Sequence, residues 1–397
     1  MRRRAILLAV IALLGTAAAG CGGKSGDLGG ISTAPTVGAR GSQGDAATDL
    51  GFPAFATKNT TRVGGADAVA NAAAVARAVY PGPSVQTRPR TVALVDARDW
   101  RGGVAAAVLA APPLRAAVLL SNGPDLPAAS RDALAALAPT GAKEAGGAQL
   151  IRVGDVAKPD GLKATAVSGR DPFALAQAID AYAAVVRART STRVVIASAD
   201  DPGYAMPAAA WAAKAGDPVL FVHRNAIPAA TRAALQAHKR PKIYVLGPPE
   251  TISDSVVTAL GRLGRVTRVG TGDAVRSSID FARFLDGTFG WGVIDPGHGI
   301  VFARADRPLD AVAAAPLSAS GTYGPLVLVS SAARLDAPVS EYLLDIQPGY
   351  TKDPVRGVYN HGWIVGDGEA ISVGVQSQID SLLEISPVKQ RVQRRQS

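Results

Sequence analysis

Cysteine occurs once in the 397 residues, at Cys21, which excludes an internal disulfide framework. Histidine occurs four times, and the strings G-x-S-x-G, H-E-x-x-H and the P-loop are all missing. These absences leave no nucleophile elbow, no zinc-protease helix and no nucleotide cradle. Aromatic residues make up 5 % of the chain. Its longest apolar stretch near the start, Ala5 to Leu14, is ten residues and too short to span a bilayer.

What is present at the start is an export pattern. Arg2, Arg3 and Arg4 form a positive region, Ala5 to Leu14 the apolar one, and Ala17-Ala18-Ala19-Gly20 the small residues of a cleavage site. Ala18-Ala19-Gly20-Cys21 resembles a bacterial lipobox, with Ala18 where leucine is usual. The resemblance implies cleavage before Cys21, lipidation there, and a protein anchored to the membrane rather than spanning it. Residues 21–60 are rich in Gly, Ser, Ala and Thr and read as a flexible tether of roughly 35 Å reach. The formal charge of +10 falls to +7 once Arg2 to Arg4 are removed. Lys389, Arg391, Arg394 and Arg395 in the tail, 388–397, account for four more, leaving +3. That is too mild for a nucleic-acid platform and suits weak, salt-sensitive attraction to anionic lipid or polymer.

Between the ends the chain repeats itself. Arg62-Val63-Gly64-Gly65-Ala66-Asp67 returns as Ala166-Val167-Ser168-Gly169-Arg170-Asp171 and as Arg268-Val269-Gly270-Thr271-Gly272-Asp273, the aspartates spaced by 104 and 102 residues. A period near 100 is too long for a solenoid, so each copy is a small domain. We assign 1–20 to the signal peptide and the copies to 61–160, 161–265 and 266–387. Each carries short apolar runs alternating with Ala-rich helical stretches. In the first, Thr91 to Val95, Ala116 to Leu120 and Ala148 to Val153 are β-runs. In the second, a helix is expected over Pro207 to Ala213. Unalternating apolar runs suit strands buried on both faces, so the fold class is α/β, with a parallel sheet flanked by helices in each of three tandem units. Ala-rich helices bury little area apiece, so the units are expected to share interfaces, in a pseudo-threefold arrangement.

These residues resemble the type 2 cell wall-binding repeat of bacterial surface proteins. Pro308-Leu309-Asp310-Ala311-Val312-Ala313-Ala314-Ala315-Pro316-Leu317 follows the family's central helix. Pro218-Val219-Leu220-Phe221 and Pro325-Leu326-Val327-Leu328 follow its apolar strand, and Ile364-Val365-Gly366 its closing strand. Only Arg170 keeps the arginine after the glycine pair, and only Asp310 the helix aspartate. The resemblance covers Thr61 to Ile385 and implies non-covalent binding of anionic wall polymers, without catalysis or cofactor, on the outer face of the membrane.

Asp295-Pro296-Gly297-His298-Gly299 also looks like the zinc-site string of N-acetylmuramoyl-L-alanine amidases. Such a site needs further ligands; here no glutamate follows until Glu341, and His361 sits in Tyr359-Asn360-His361-Gly362-Trp363. A structural turn is expected instead, and no metal. A solute-binding lipoprotein is a further alternative. His238 is read as a surface residue ending a helix. The glycine pairs lack a preceding apolar strand of normal length and read as turns and caps. Parallel sheets bind ligands beyond the carboxyl ends of their strands. That rule singles out Arg98, Arg101 and Asn122, then Tyr204, His223, Arg224 and Asn225, then Arg304, Arg307, Asp310 and Arg334. Arginine forks suit carboxylates and phosphates; a solvated rim with salt bridges such as Asp306 to Arg307 is the alternative.

Overall fold

The computed structural model describes residues 54–319 and 324–388. Cys21, the signal peptide, most of the tether and the tail from Lys389 lie outside the described residues. Two strands, β1 (Ala54–Ala56) and β2 (Thr60–Val63), lead into α1 (Ala68–Val79). The chain continues through β3 (Val92–Asp96), α2 (Trp100–Ala106), β4 (Ala117–Ser121), α3 (Ala128–Leu137) and β5 (Leu150–Val153) to β6 (Ala164–Val167) and α4 (Pro172–Val186). The second passage runs β7 (Arg193–Ser198), α5 (Pro202–Ala215), β8 (Val219–Val222), α6 (Ala229–Ala237) and β9 (Lys242–Leu246). It then adds α7 (Asp254–Leu260), β10 (Arg265–Val269) and α8 (Ala274–Arg283). The third is β11 (Gly299–Arg304), α9 (Pro308–Ala319), β12 (Leu326–Val329), α10 (Ala337–Asp345), β13 (Gly349–Tyr350) and β14 (His361–Val365). It ends with α11 (Val373–Leu383) and β15 (Ser386–Pro387).

Three large sheets result, ordered β4-β3-β5-β6, β8-β7-β9-β10 and β12-β11-β14-β2, with β1 antiparallel outside β2, and β13 and β15 form a small fourth one. The four named strands of each are parallel, and the central ones are buried on both faces, as their unalternating apolar runs require. The outer strand of each sheet comes from the next sequence repeat: β6 pairs with β5, β10 with β9, and β2 closes the series on β14. The glycine pairs therefore do follow strands, contrary to the sequence reading. Their strands escaped notice because they are short and carry Thr or Arg in place of an apolar run, and because β6 and β10 are partly exposed edges. The cap reading fits the periodic aspartates. Asp67, Asp171 and Asp273 each accept the N–H three residues on, from Ala70, Ala174 and Arg276, at 2.8 Å.

Helices α2, α5 and α9 touch one another pairwise at the middle of the molecule. Small residues allow the approach: a Cβ on Gly103 would lie 2.8 Å from Val312 Cγ2. Helix α5 begins at Pro202, not Pro207. Pro207 lies buried inside it, where the missing N–H frees only the carbonyl of Gly203 one turn earlier.

The first sheet departs from the other two. Between its third and fourth strands runs a loop, Gly154–Lys163, where the second sheet has α7 and the third α11. The edge-strand arginine changes with it. Arg62 donates to the carbonyls of Gly366, Asp367 and Ile371, and Arg268 to those of Gly247 and Ile252, tying down the turn into the helix. The equivalent residue on β6 is Ala166. Arg152, on β5, takes the carbonyls of Val156 and Ala157 instead. Pro159 and Gly161 keep the loop from coiling.

Candidate functional site

The carboxyl ends of the strands gather most of the candidate residues, but their side chains are not equally free. Asp96 ends β3 and is buried. Arg98 grips it with Nε 2.9 Å from Oδ1 and Nη2 2.7 Å from Oδ2. Burial pushes the Asp96 carboxyl up, and the hydrogen bonds from Arg98 overcome this, holding it below its ordinary value. Gly123 adopts φ +59°, and a Cβ there would strike the Arg98 guanidinium, so the neighbouring turn needs glycine. Arg304 is likewise folded onto Asp306, and Arg307 Nε lies 2.9 Å from Asp310 Oδ2, an ion pair without hydrogen-bond geometry. Three of the arginines are thus engaged within the chain.

Arg101 is a staple between units. Its Nε donates to the Ala199 carbonyl at 2.8 Å while its guanidinium lies 4.6 Å from the Trp100 ring centre. Tyr204 donates to the Gly272 carbonyl at 2.9 Å and serves the same end at the next junction. Asn122 is exposed in a turn closed by its backbone and that of Asp125. His223 Nδ1 meets Asp200 Oδ1 at 2.8 Å, its ring edge-on to Phe173 at 5.0 Å, and the Arg224 N–H donates to the other Asp200 oxygen. Asn225 is exposed beside them. Arg224 and Arg334 are exposed, and among the described residues their guanidinium groups have no hydrogen-bond or ion-pair partner.

A cleft of about 270 Å³ opens where the third unit meets the first, lined by Asp67, Arg98, Trp100, Arg307, Leu309 and Asp310. Trp100 was not singled out from sequence. Its signal was a tryptophan at the start of a helix that, after Arg101, is made of Gly, Ala and Val. The indole offers a flat apolar face, and two guanidinium groups stand beside it, a pairing that fits a sugar ring bearing an anionic substituent. Asp310 forms the buried back of the cleft. Burial pushes its carboxyl up to about 6, against the opposing charge of Arg307 and the hydrogen bond from Asn71.

The Asp295-Pro296-Gly297-His298 string lies at the opposite, amino-terminal end of the third sheet. Asn360 Oδ1 accepts from the N–H groups of Gly297 and His298 at 2.7 and 3.0 Å, and His298 Nε2 lies 3.0 Å from Asp295 Oδ1. The His361 ring turns to Thr61 Oγ1 at 3.1 Å. Among the described residues no three His, Cys, Asp or Glu side chains converge as metal ligands.

The geometry defines a protein of three linked parallel-sheet units whose strand ends carry arginines. Residues 166–257 match the family model of cell wall binding domain 2 (CWB2), so the chain carries a segment of that family. The match starts on β6, the strand contributed to the first sheet, and ends inside α7. The unit recognised is therefore the sequence repeat, offset from the sheet. The whole fold is similar to Cwp8 from Clostridium difficile, with TM-score 0.63 and 18% identity over 82% of this chain and 52% of that one. It is similar also to Cwp6 from Clostridium difficile, with TM-score 0.64 and 17% identity over 82% of this chain and 48% of the other. The chain thus spans about half the length of each. No curated protein matches it.

Proposed function

We propose that this chain is a lipid-anchored, extracytoplasmic protein that holds anionic cell-wall polymer non-covalently through the carboxyl ends of its strands, without catalysing a reaction. The reading rests foremost on the match at 166–257, which contains the unpaired, exposed Arg224 at the end of its second strand. The repeats 61–160, 161–265 and 266–387 are the binding units, and the mutual contact of α2, α5 and α9 supports their pseudo-threefold packing. Cys21 is the anchor, with the tether up to residue 60 holding the units off the lipid. The test is co-sedimentation of the chain with purified wall sacculi before and after their acidic polymers are stripped. Pelleting should be lost on stripping; equal pelleting in both would sink the proposal.

A further inference from the structure

The loop that carries the chain from α4 into β7 surrounds a small space at the amino-terminal end of the second sheet, opposite the arginine rim. It measures about 70 Å³, against about 270 Å³ for the cleft beside Trp100. Arg187, Arg189, Thr190, Ser191, Thr192 and Arg193 line it, and the end of α5 and the turn after it close it with Ala215 and Asp217.

Arg187 is left short of partners by the fold. Its Nη1 donates to the Gly216 carbonyl just past α5, while its Nη2 is shut off from solvent and meets no acceptor among the described residues. Burial pulls this guanidinium below its ordinary value, against the charges of Asp217 and Asp180. A buried N–H without an acceptor has given up its water for nothing, and an anion placed beside it restores the lost bond. Arg189 is exposed, and among the described residues its guanidinium has no hydrogen-bond or ion-pair partner. The backbone N–H groups of Thr190, Ser191 and Thr192 likewise donate to nothing among the described residues.

The charge around the space does not cancel. Asp217 is buried and already takes Arg193 Nε at 3.0 Å, Ser191 Oγ at 2.8 Å and Trp211 Nε1 at 2.9 Å. Asp180 is held by His238, and Asp286 by Lys242 and Tyr244. With those pairs matched, Arg187 and Arg189 remain, and Lys239 and Arg240 are exposed on the turn that leads into the adjacent strand β9. Helices α4 and α5 both end here, each contributing roughly half a negative charge, and the two unmatched guanidinium groups outweigh them. Forked donors beside a run of free backbone N–H groups suit the several oxygens of a phosphate. The space admits one such group and excludes a sugar ring.

We propose that the 187–193 loop is a binding site for a single phosphate group, free or as the monoester at a chain end, with Arg187 and Arg189 as its charged donors. The site lies away from the strand-end rim, and wall attachment neither requires it nor follows from it.

The test follows the amide NMR signals of the full chain with Cys21→Ser, titrated near neutral pH with inorganic phosphate and with glycerol 3-phosphate to about 20 mM, at constant ionic strength set by sodium chloride. Phosphate should move the Thr190, Ser191 and Thr192 signals saturably, and chloride should not. Movement with the ester identifies a chain-end phosphate as an occupant; movement with inorganic phosphate alone identifies the free ion. Arg189→Ser changes an exposed site, so it should leave the melting temperature unchanged while weakening phosphate binding at least about fivefold. No movement of these three amides with either probe, movement confined to the strand-end rim, or equal affinity in the Arg189→Ser variant overturns the proposal. Sacculus binding plays no part in the measurement, so wall attachment stands or falls on its own test.

Discussion

Asn71 and Asp310 meet where the last repeat closes on the first, Asn71 Nδ2 donating to Asp310 Oδ1 across 2.8 Å. The equivalent positions at the other two junctions carry different residues. Between the first and second units they are Gly102 and Leu175, whose Cδ2 fills the space a Cβ on Gly102 would need. Between the second and third they are Tyr204, held by the Gly272 carbonyl, and Ser277. Of the three, the closing junction is the one that carries a carboxyl, and Asn71 Oδ1 also accepts from the Gly65 N–H at 2.7 Å. It is also the junction that holds the cleft.

That carboxyl makes closure pH-dependent. The folded Asp310 carboxyl titrates near 6, above its unfolded value of 3.8, because it is buried. A raised acid favours the folded state below the unfolded value and loses that contribution as pH climbs through the folded one. The stability of the native protein relative to Asp310→Asn should therefore fall by on the order of 2 kcal/mol between about pH 4 and pH 6, then level off. Denaturant melts of both proteins across that range measure it, and a pH-independent difference would show that burial does not govern this group.

His238 gives the opposite lesson about reading surfaces. Expected at an exposed helix end, it is buried, its Nε2 2.7 Å from Asp180 Oδ2 and its Nδ1 2.7 Å from the Ser191 carbonyl. Burial pulls its pKa down, but the hydrogen bond and charge of Asp180 prevail and raise it above 6.5. Its contribution is complete below that value and is lost as pH rises through the folded one. His238→Ala should cost about 3 kcal/mol or more near neutral pH, since it strands a buried carboxylate. The deficit should shrink in alkaline buffer. A constant deficit from pH 6 to 9 would mean the ring is neutral in the folded protein.

His298 should behave as a turn residue. Its backbone is held by Asn360 whatever side chain it carries, so His298→Ala should change stability by no more than about 0.5 kcal/mol and leave sacculus binding unaltered. Stoichiometric zinc on the native protein that disappears in this variant, or muropeptide release lost with it, would replace the binding reading by an amidase.

The sequence carries its parallel strands openly because strands buried on both faces must be apolar throughout, as Val92 to Val95 and Leu326 to Val329 are. It hides β6 and β10, whose exposed edges tolerate Ala, Thr and Arg, and it hides which sheet they join, since pairing is decided by tertiary packing rather than local pattern. At the site, strand-end topology located the arginines. Whether each is free depends on a partner such as Asp96 or Asp306 two residues away, and on side-chain direction that no spacing rule supplies. Trp100 lay beside those positions and went unread because the search followed charge.

Freedom of the guanidinium groups sets how binding should divide among the rim arginines. Arg224 and Arg334 have nothing to give up, whereas Arg98 and Arg304 already neutralise Asp96 and Asp306. Each exposed contact with an anionic polymer is worth about 1 kcal/mol or less, so Arg224→Ser or Arg334→Ser alone should weaken sacculus binding up to about fivefold. Together they should lower it by about tenfold or more, since joined sites add to avidity, with melting unchanged. Arg98→Ser should instead lower the melting temperature, because it leaves the buried Asp96 carboxylate short of its main partner. Raising salt from about 50 to about 500 mM should reproduce much of the loss, as screening shortens the reach of every contact. The chain ended at Val388 is the control for attraction by the tail. If the Arg224/Arg334 variant pellets like the native chain while that truncation abolishes pelleting, the rim is solvated surface and the repeats hold something other than anionic polymer.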